Sequence, residues 1–244
     1  MTQPRVFQAI PLKSQTRLEL DLAASHHLAN VLRVKAGDAI TLFNGEGGEY
    51  AASITQVEKK KVIVSIGEFQ NRNAESPLTL CLAQGISRGE KMDYTIQKAV
   101  ELGVNQIIPL LTERCTVKLD AERRVKRWQH WQSIVHSACE QSGRTRLPEL
   151  LPPQTLVQWL PTVNAAMRLV LAPTAPQKLH EMAVPDGKVM LLIGPEGGLT
   201  EQEIGQAQQH NFHPLNLGPR ILRTETAAVA ALTVLQTIFG DMVR

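Results

Sequence analysis

Two stretches in the last third of the chain carry the residue types best suited to chemistry. The first, Ile193-Gly194-Pro195-Glu196-Gly197-Gly198-Leu199-Thr200, sets three glycines and a carboxylate between an apolar run and a helix start. Glycines let a backbone approach a ligand closely and expose its N–H and C=O groups. The same residues also suit a plain tight turn into a helix. The second, Leu217-Gly218-Pro219-Arg220-Ile221-Leu222-Arg223-Thr224-Glu225-Thr226-Ala227, places two arginines and a carboxylate at the head of an Ala-rich helix. A half-buried guanidinium needs an anion, and Glu225 could supply it as a simple salt bridge. Neither stretch is a P-loop or a dinucleotide fingerprint, which argues against nucleoside triphosphates and nicotinamide cofactors. A third stretch, Gly85-Ile86-Ser87-Arg88-Gly89, matches the G-x-S-x-G of a nucleophile elbow. It makes an α/β serine hydrolase the rival enzyme, although no HGGG-type oxyanion segment accompanies it.

The elements that must position these stretches alternate strand and helix after Pro77, the mark of an α/β domain with a mostly parallel sheet. Strands are predicted over residues 78–84, 106–110, 168–171, 189–193 and 214–217. Helices are predicted over 92–102, 121–142, 176–182, 201–209 and 225–238. Thr200 and Glu203 form a T-x-x-E capping box, so the helix after the glycine loop has a sharp start. Both loops then fall between strand and helix, where open α/β sheets bind ligands. Ahead of Pro77, strands are predicted over 39–44, 49–57 and 62–69, with Gly45-Glu46-Gly47-Gly48 as a hairpin turn. A short helix over 26–31 starts from Ser25 as N-cap. Several short strands in so small a region suggest a barrel. The expected domains are 1–72, a polar linker 73–77, and 78–244; residues 152–163 carry no functional assignment.

Composition narrows the classes further. The 244 residues suit two unequal domains, and 43% hydrophobic with 20% charged residues is ordinary for a globular chain. The longest apolar runs, 78–83, 189–193 and 227–232, fall short of the roughly 18–20 residues that cross a membrane. Met1 to Arg5 show no basic-then-apolar signal pattern, so a cytoplasmic location and no membrane partner are expected. Cys81, Cys115 and Cys139 are too widely spaced for a disulfide framework and are expected to be reduced. His210 and His213 lack further ligands at metal spacing and are expected at a helix end and in a loop, with no metal. Between Glu113 and Glu149, Arg114, Lys118, Arg123, Arg124, Lys126, Arg127, Arg144 and Arg146 face five carboxylates, which accounts for the net charge of +3. Such a patch could hold phosphates or simply be the solvated face of a helix. Aromatic residues are only 4%, so a broad base-stacking platform is not expected.

Taken together, the chain resembles the RsmE family of SPOUT methyltransferases nearly end to end. The resemblance is carried by His27-Leu28, Val31-Leu32-Arg33 and Gly37-Asp38, by Lys98-Ala99-Val100-Glu101-Leu102-Gly103-Val104, and by Glu113-Arg114. Glu140-Gln141-Ser142-Gly143-Arg144, Pro148 and above all the two C-terminal loops complete it. It implies methylation of N3 of a uridine in 16S ribosomal RNA, with S-adenosylmethionine as cofactor and ribosomal RNA or the small ribosomal subunit as partner. It also implies a PUA-like RNA-binding β-barrel followed by a SPOUT domain with a trefoil knot, and a homodimer with active sites near the subunit interface. No periodicity in the sequence shows the knot or the dimer. The cofactor residues it implies are Leu171, Ala172, Ile193, Gly194, Pro195, Glu196, Gly197, Gly198, Leu217, Gly218, Ile221, Leu222, Arg223, Thr226 and Ala227. Candidates for RNA contact are Arg5, Arg33, Gln141, Ser142, Arg144 and Arg146. A non-catalytic RNA-binding module for ribosome assembly is the third reading.

Methyl transfer from a sulfonium is an in-line displacement that asks the protein mainly for alignment and electrostatics. Uridine N3 carries a proton at neutral pH, so negative charge spreading onto the ring carbonyls must be met. Arg223 suits that task and cannot be the base, since a guanidinium stays protonated. Glu225, at a helix N-terminus that favours its charged form, is cast as the orienter of Arg223. Glu196 is the candidate base or the partner of the sulfonium charge, with water as the alternative base.

Overall fold

The computed structural model describes residues 3–117, 120–173, 175 and 187–242, so Lys118 and the helix predicted over 176–182 lie outside the described residues. The chain divides into two units, Met1–Glu75 with Cys139–Leu147, and Ser76–Ala138 with Pro148–Arg244.

In the first unit, strands with alternating apolar residues form a five-stranded sheet. They are β1 (Arg5–Phe7), β2 (Arg17–Glu19), β3 (Ala39–Phe43), β4 (Glu49–Glu58) and β5 (Lys61–Gln70). Their order is β1-β3-β4-β5-β2, with β1 parallel to β3 and the other pairs antiparallel. Val62, Val64 and Ile66 alternate inward from β5 and pack with Ile40, Leu42 and Ile54 in one core. β1 and β2 escape prediction because three residues are too few to show a period. Leu22–His26 form α1, which starts one turn earlier than expected: Asp21, not Ser25, caps it by accepting from the Ala24 N–H at 2.8 Å. Ser25 is buried, and its hydroxyl donates to Leu20 O and accepts from Val62 N–H, joining the helix to β5. The helix continues as a π-helical turn, His27–Leu32, which stops at Arg33 in the left-handed region with φ 54°.

Cys139–Leu147 belong to this unit although the sequence pattern places them after the linker. The reason is a set of charged contacts. Arg144 pairs with Glu75, Arg5 pairs with Glu49 and donates to Arg144 O at 3.1 Å, and Arg72 donates to Gly143 O at 3.0 Å. The Phe7 N–H donates to Glu140 Oε1 at 3.0 Å.

In the second unit, β6 (Leu80–Gly85), β7 (Gln106–Leu111), β8 (Glu149–Leu150), β9 (Gln154–Thr155), β10 (Met167–Leu171), β11 (Val189–Ile193) and β12 (His213–Leu215) form one sheet. The order is β12-β10-β11-β6-β7-β8 with β9 also beside β7, and every pair is parallel. β6 and β11 are buried at every position, as parallel strands covered on both faces should be. The helices are α2 (Glu90–Glu101), α3 (Ala121–Ser142), α4 (Leu156–Trp159), α5 (Glu201–Gln209) and α6 (Thr224–Phe239). The bounds of β11, α3 and α5 agree with prediction, and the Thr200–Glu203 capping box is present. β12 ends at Leu215 rather than 217, because Asn216 Oδ1 accepts from Gly218 N–H at 2.7 Å and turns the chain. α6 packs on α2, and Gln236 fastens it by donating to Leu102 O at 2.8 Å. All three cysteines are free; burial pushes Cys81 up to about 11 and Cys139 up to about 12, which keeps both thiols protonated.

Candidate functional site

The carboxyl ends of β10, β11 and β12 open into three loops, and these line one cleft of about 300 Å3 in the second unit. Leu171, Ala172 and Pro173 follow β10. Residues 193–199 follow β11. Leu215 to Gly218 and Arg220 to Leu222 run from the end of β12, with Thr224 and Ala227 at the head of α6, while Arg114 and Ile204 complete the lining. Every cofactor residue expected from the sequence is in this lining except Arg223 and Thr226. Arg114, Pro173, Leu199, Ile204, Leu215, Asn216, Arg220 and Thr224 are lining residues outside the expected cofactor set. Arg114 lies 83 residues from its contact, Gly197 O, to which it donates at 2.9 Å, so only the Glu113-Arg114 signature pointed toward it.

The glycines are needed where the backbone crowds. A Cβ on Gly194 would stand 2.7 Å from Gly198 C and Leu199 N, and Gly198 itself has φ +69°. The turn is closed by Gly198 N–H donating to Pro195 O at 2.9 Å. The walls are apolar, from Leu171, Ile193, Leu215, Leu217 and Leu222, against the backbone groups of the glycine loop. Such a cleft suits a small ligand with an apolar body and a few polar groups.

Glu196 is exposed at the turn of this loop. Its Oε1 accepts from the Arg88 N–H at 3.0 Å and lies 3.4 Å from Lys91 Nζ. Partial burial by itself would raise its pKa, but the Arg88 amide and Lys91 outweigh that and hold the carboxyl below its ordinary value. Held so, the group is ionised at neutral pH and a weaker base than an ordinary carboxylate, which favours its other expected role, as partner of the sulfonium charge.

Arg223 is the exposed N-cap residue of α6. Among the described residues no ion pair joins it to Glu225, whose Oε2 is buried without a hydrogen-bond partner. The orienting role expected for Glu225 is therefore corrected. Arg223 stands outside the helix and Glu225 two residues on in its first turn, a spacing whose side chains do not face one another. Ser87 is likewise no nucleophile. It is only 4% exposed and its Oγ donates to Gly85 O, where an elbow serine would stand clear of the turn.

All six expected RNA contacts lie in the first unit. Arg33, Gln141 and Arg146 are exposed, whereas Ser142 Oγ is buried without a partner. Arg144 is 3% exposed and paired with Glu75, and Arg5 is turned onto Glu49 and over the Phe43 ring, so neither guanidinium is available to a phosphate. Arg88 and Lys91, beside Glu196, were not anticipated. His210 closes α5 and His213 opens β12; among the described residues no cluster of three His, Cys, Asp or Glu could hold a metal, and no helix is long and apolar enough to cross a membrane.

The RNA methyltransferase domain family matches residues 74–236, and the RNA methyltransferase PUA domain family matches residues 20–67. The ribosomal RNA small subunit methyltransferase E of Buchnera aphidicola subsp. Schizaphis graminum is 38% identical over 98% of each chain. This chain belongs to the ribosomal RNA small subunit methyltransferase E family. The Bacillus subtilis member is 35% identical over 86% of each chain. The Neisseria gonorrhoeae member, solved bound to S-adenosyl methionine, has a TM-score of 0.92 at 41% identity and covers 98% of this chain and 99% of its own. A Legionella pneumophila methyltransferase solved with bound SAM has a TM-score of 0.97 at 44% identity, covering 99% of this chain and 100% of that one.

Proposed function

We propose that this family member transfers a methyl group from S-adenosylmethionine to N3 of a uridine in small-subunit ribosomal RNA, in the cytoplasm. The observation that carries the reading is the cleft at the carboxyl ends of β10, β11 and β12, in a chain that is more than 40% identical, nearly end to end, to two proteins solved with that cofactor. The hydrolase reading lacks an accessible nucleophile, and the assembly-module reading leaves the cleft without a ligand. S-adenosylmethionine, when bound, supplies the methyl group on a sulfonium. The glycine loop and apolar walls would hold and orient it, and the fixed charge of Glu196 would favour the sulfonium. Arg223 would meet the negative charge that develops on the uracil carbonyls, while water takes the N3 proton.

The finer architecture belongs to the same reading: domains at 1–72 and 78–244 joined by 73–77, a PUA-like barrel, a trefoil knot around the cleft, and a homodimer. Ile221 supports the dimer, since it lines the cleft yet is 87% exposed, the most exposed of the large apolar side chains among the described residues. The test is mass spectrometry of ribosomal RNA nucleosides after purified protein, cofactor and unmethylated small subunits are mixed. Appearance of 3-methyluridine is expected, and its absence under conditions where the protein binds S-adenosylhomocysteine would overturn the assigned target.

A further inference from the structure

One polar side chain interrupts the buried strand β6. Gln84 is fully buried, and an amide in such a place is unfavourable unless its groups are hydrogen-bonded. Its Nε2 lies 3.0 Å from Gly85 O, 3.2 Å from Gly194 O and 2.9 Å from Thr224 Oγ1. The Thr224 hydroxyl in turn donates to Gly194 O at 2.7 Å. Gly194 O thus receives two donors, from residues 110 and 30 positions away. Gln84 Oε1 has no partner.

The three segments so joined are the end of β6, the glycine loop and the first turn of α6. Gly194 and Thr224 line the cleft, while Gln84 stands behind them and does not. The glycine loop also presses on β6, since a Cβ on Gly85 would meet Pro195 N at 2.5 Å. Pro195 has no N–H with which to anchor this peptide unit, so its carbonyl side is the group that can be held. A leucine at position 84 would remove both the buried amide and the orphaned oxygen, so packing alone does not account for a glutamine there.

We infer that Gln84 is a positioning residue: with Thr224 it pins the Gly194 carbonyl and ties the glycine loop to the head of α6, and so holds the shape of the cofactor cleft. The inference rests on the reading of the cleft as an S-adenosylmethionine site. In-line transfer is sensitive to displacement, and a shift of about 1 Å can cost on the order of 100-fold in rate.

Full-length wild-type protein, Gln84→Leu, Thr224→Val, Thr224→Ser and the Gln84→Leu/Thr224→Val double variant would be compared by calorimetry with S-adenosylhomocysteine. Amide hydrogen exchange of residues 194–198 without ligand would be measured alongside. Gln84→Leu and Thr224→Val should each weaken binding by about 10-fold or more, and the double variant should be little worse than either, because the two side chains act as one pin. Thr224→Ser should restore what Thr224→Val loses. Exchange in the loop should rise in Gln84→Leu and Thr224→Val while the melting temperature of Gln84→Leu stays at or above wild type. Wild-type affinity and wild-type exchange in Gln84→Leu would overturn the inference. If Gln84→Leu does not fold, equal affinity in Thr224→Val and Thr224→Ser would do the same. Failure of the wild type itself to bind would sink the cofactor reading, and the exchange measurement would still decide whether the pin exists.

Discussion

Two sets of arginines, one in each unit, differ in what surrounds them. In the first unit, Arg144 pairs with Glu75, and Arg5 and Arg72 converge on Glu49, with further bonds to the carbonyls of Arg144 and Gly143. Around the cleft of the second unit, Arg88, Arg114, Arg220 and Arg223 are exposed, and among the described residues none is in an ion pair. Arg88 donates to the Thr116 hydroxyl and Arg114 to the Gly197 carbonyl, neutral partners that leave each positive charge uncancelled. A guanidinium wrapped in carboxylates holds the chain together; one that keeps its charge at a cleft mouth can still meet an anionic ligand.

The contrast is sharpest at Arg144. Arg144→Leu should destabilise the protein by about 3–5 kcal/mol, because the Glu75 carboxylate, its side chain only 10% exposed, would lose its cation. Adding Glu75→Leu should recover much of the loss in chemical denaturation. A stability within error of wild type for Arg144→Leu alone would return this arginine to the surface and to RNA.

At Arg223 the expectation is catalytic. Removing one preorganised donor to a developing oxyanion typically costs on the order of 100–1,000-fold in rate, and lysine keeps the charge but not the planar fork. Arg223→Lys should therefore slow single-turnover methylation on that scale while S-adenosylhomocysteine affinity changes little. Rates near wild type would pass the role to another donor.

RNA grip should separate the two sets more mildly. Removing one cation that neutralises a phosphate should lower the slope of log affinity against log salt by about 1, so Arg88→Ala and Arg114→Ala should each flatten it in filter-binding titrations. An unchanged slope in both would place the grip at Arg33 and Arg146 instead.

The smallest effect concerns Glu140. Burial pushes its carboxyl above the ordinary 4.5, against the opposing hydrogen bond from the Phe7 amide. A raised folded value means the folded state holds this proton more tightly. The stabilisation is present in acid and is lost as pH rises from 4.5 through the folded value. Glu140→Gln should thus gain in melting temperature relative to wild type across that rise, and a constant difference at all pH values would remove Glu140 from the balance.

Much of the cleft was legible in the sequence because its signals are local. A capping box at Thr200 and Glu203, an all-apolar run over Val189–Ile193 and glycines where the chain must turn act over a few residues, so they specify α5, β11 and the loop between them. Asp21 in place of Ser25 as the cap of α1 shows the limit even there. Both residue types cap helices, and what separated them was Ser25 being drawn to the Val62 N–H, 37 residues away.

The sequence by itself determined the layer pattern, the two loops and the family to which they belong. Tertiary structure decided which charges are available. Whether an arginine is spent on a carboxylate or left to a ligand depends on desolvation by residues remote in the chain, and no local spacing encodes it. Arg144 meets Glu75 across 69 residues, Arg223 misses Glu225 across two, and the amide of Gln84 reaches Thr224 across 140.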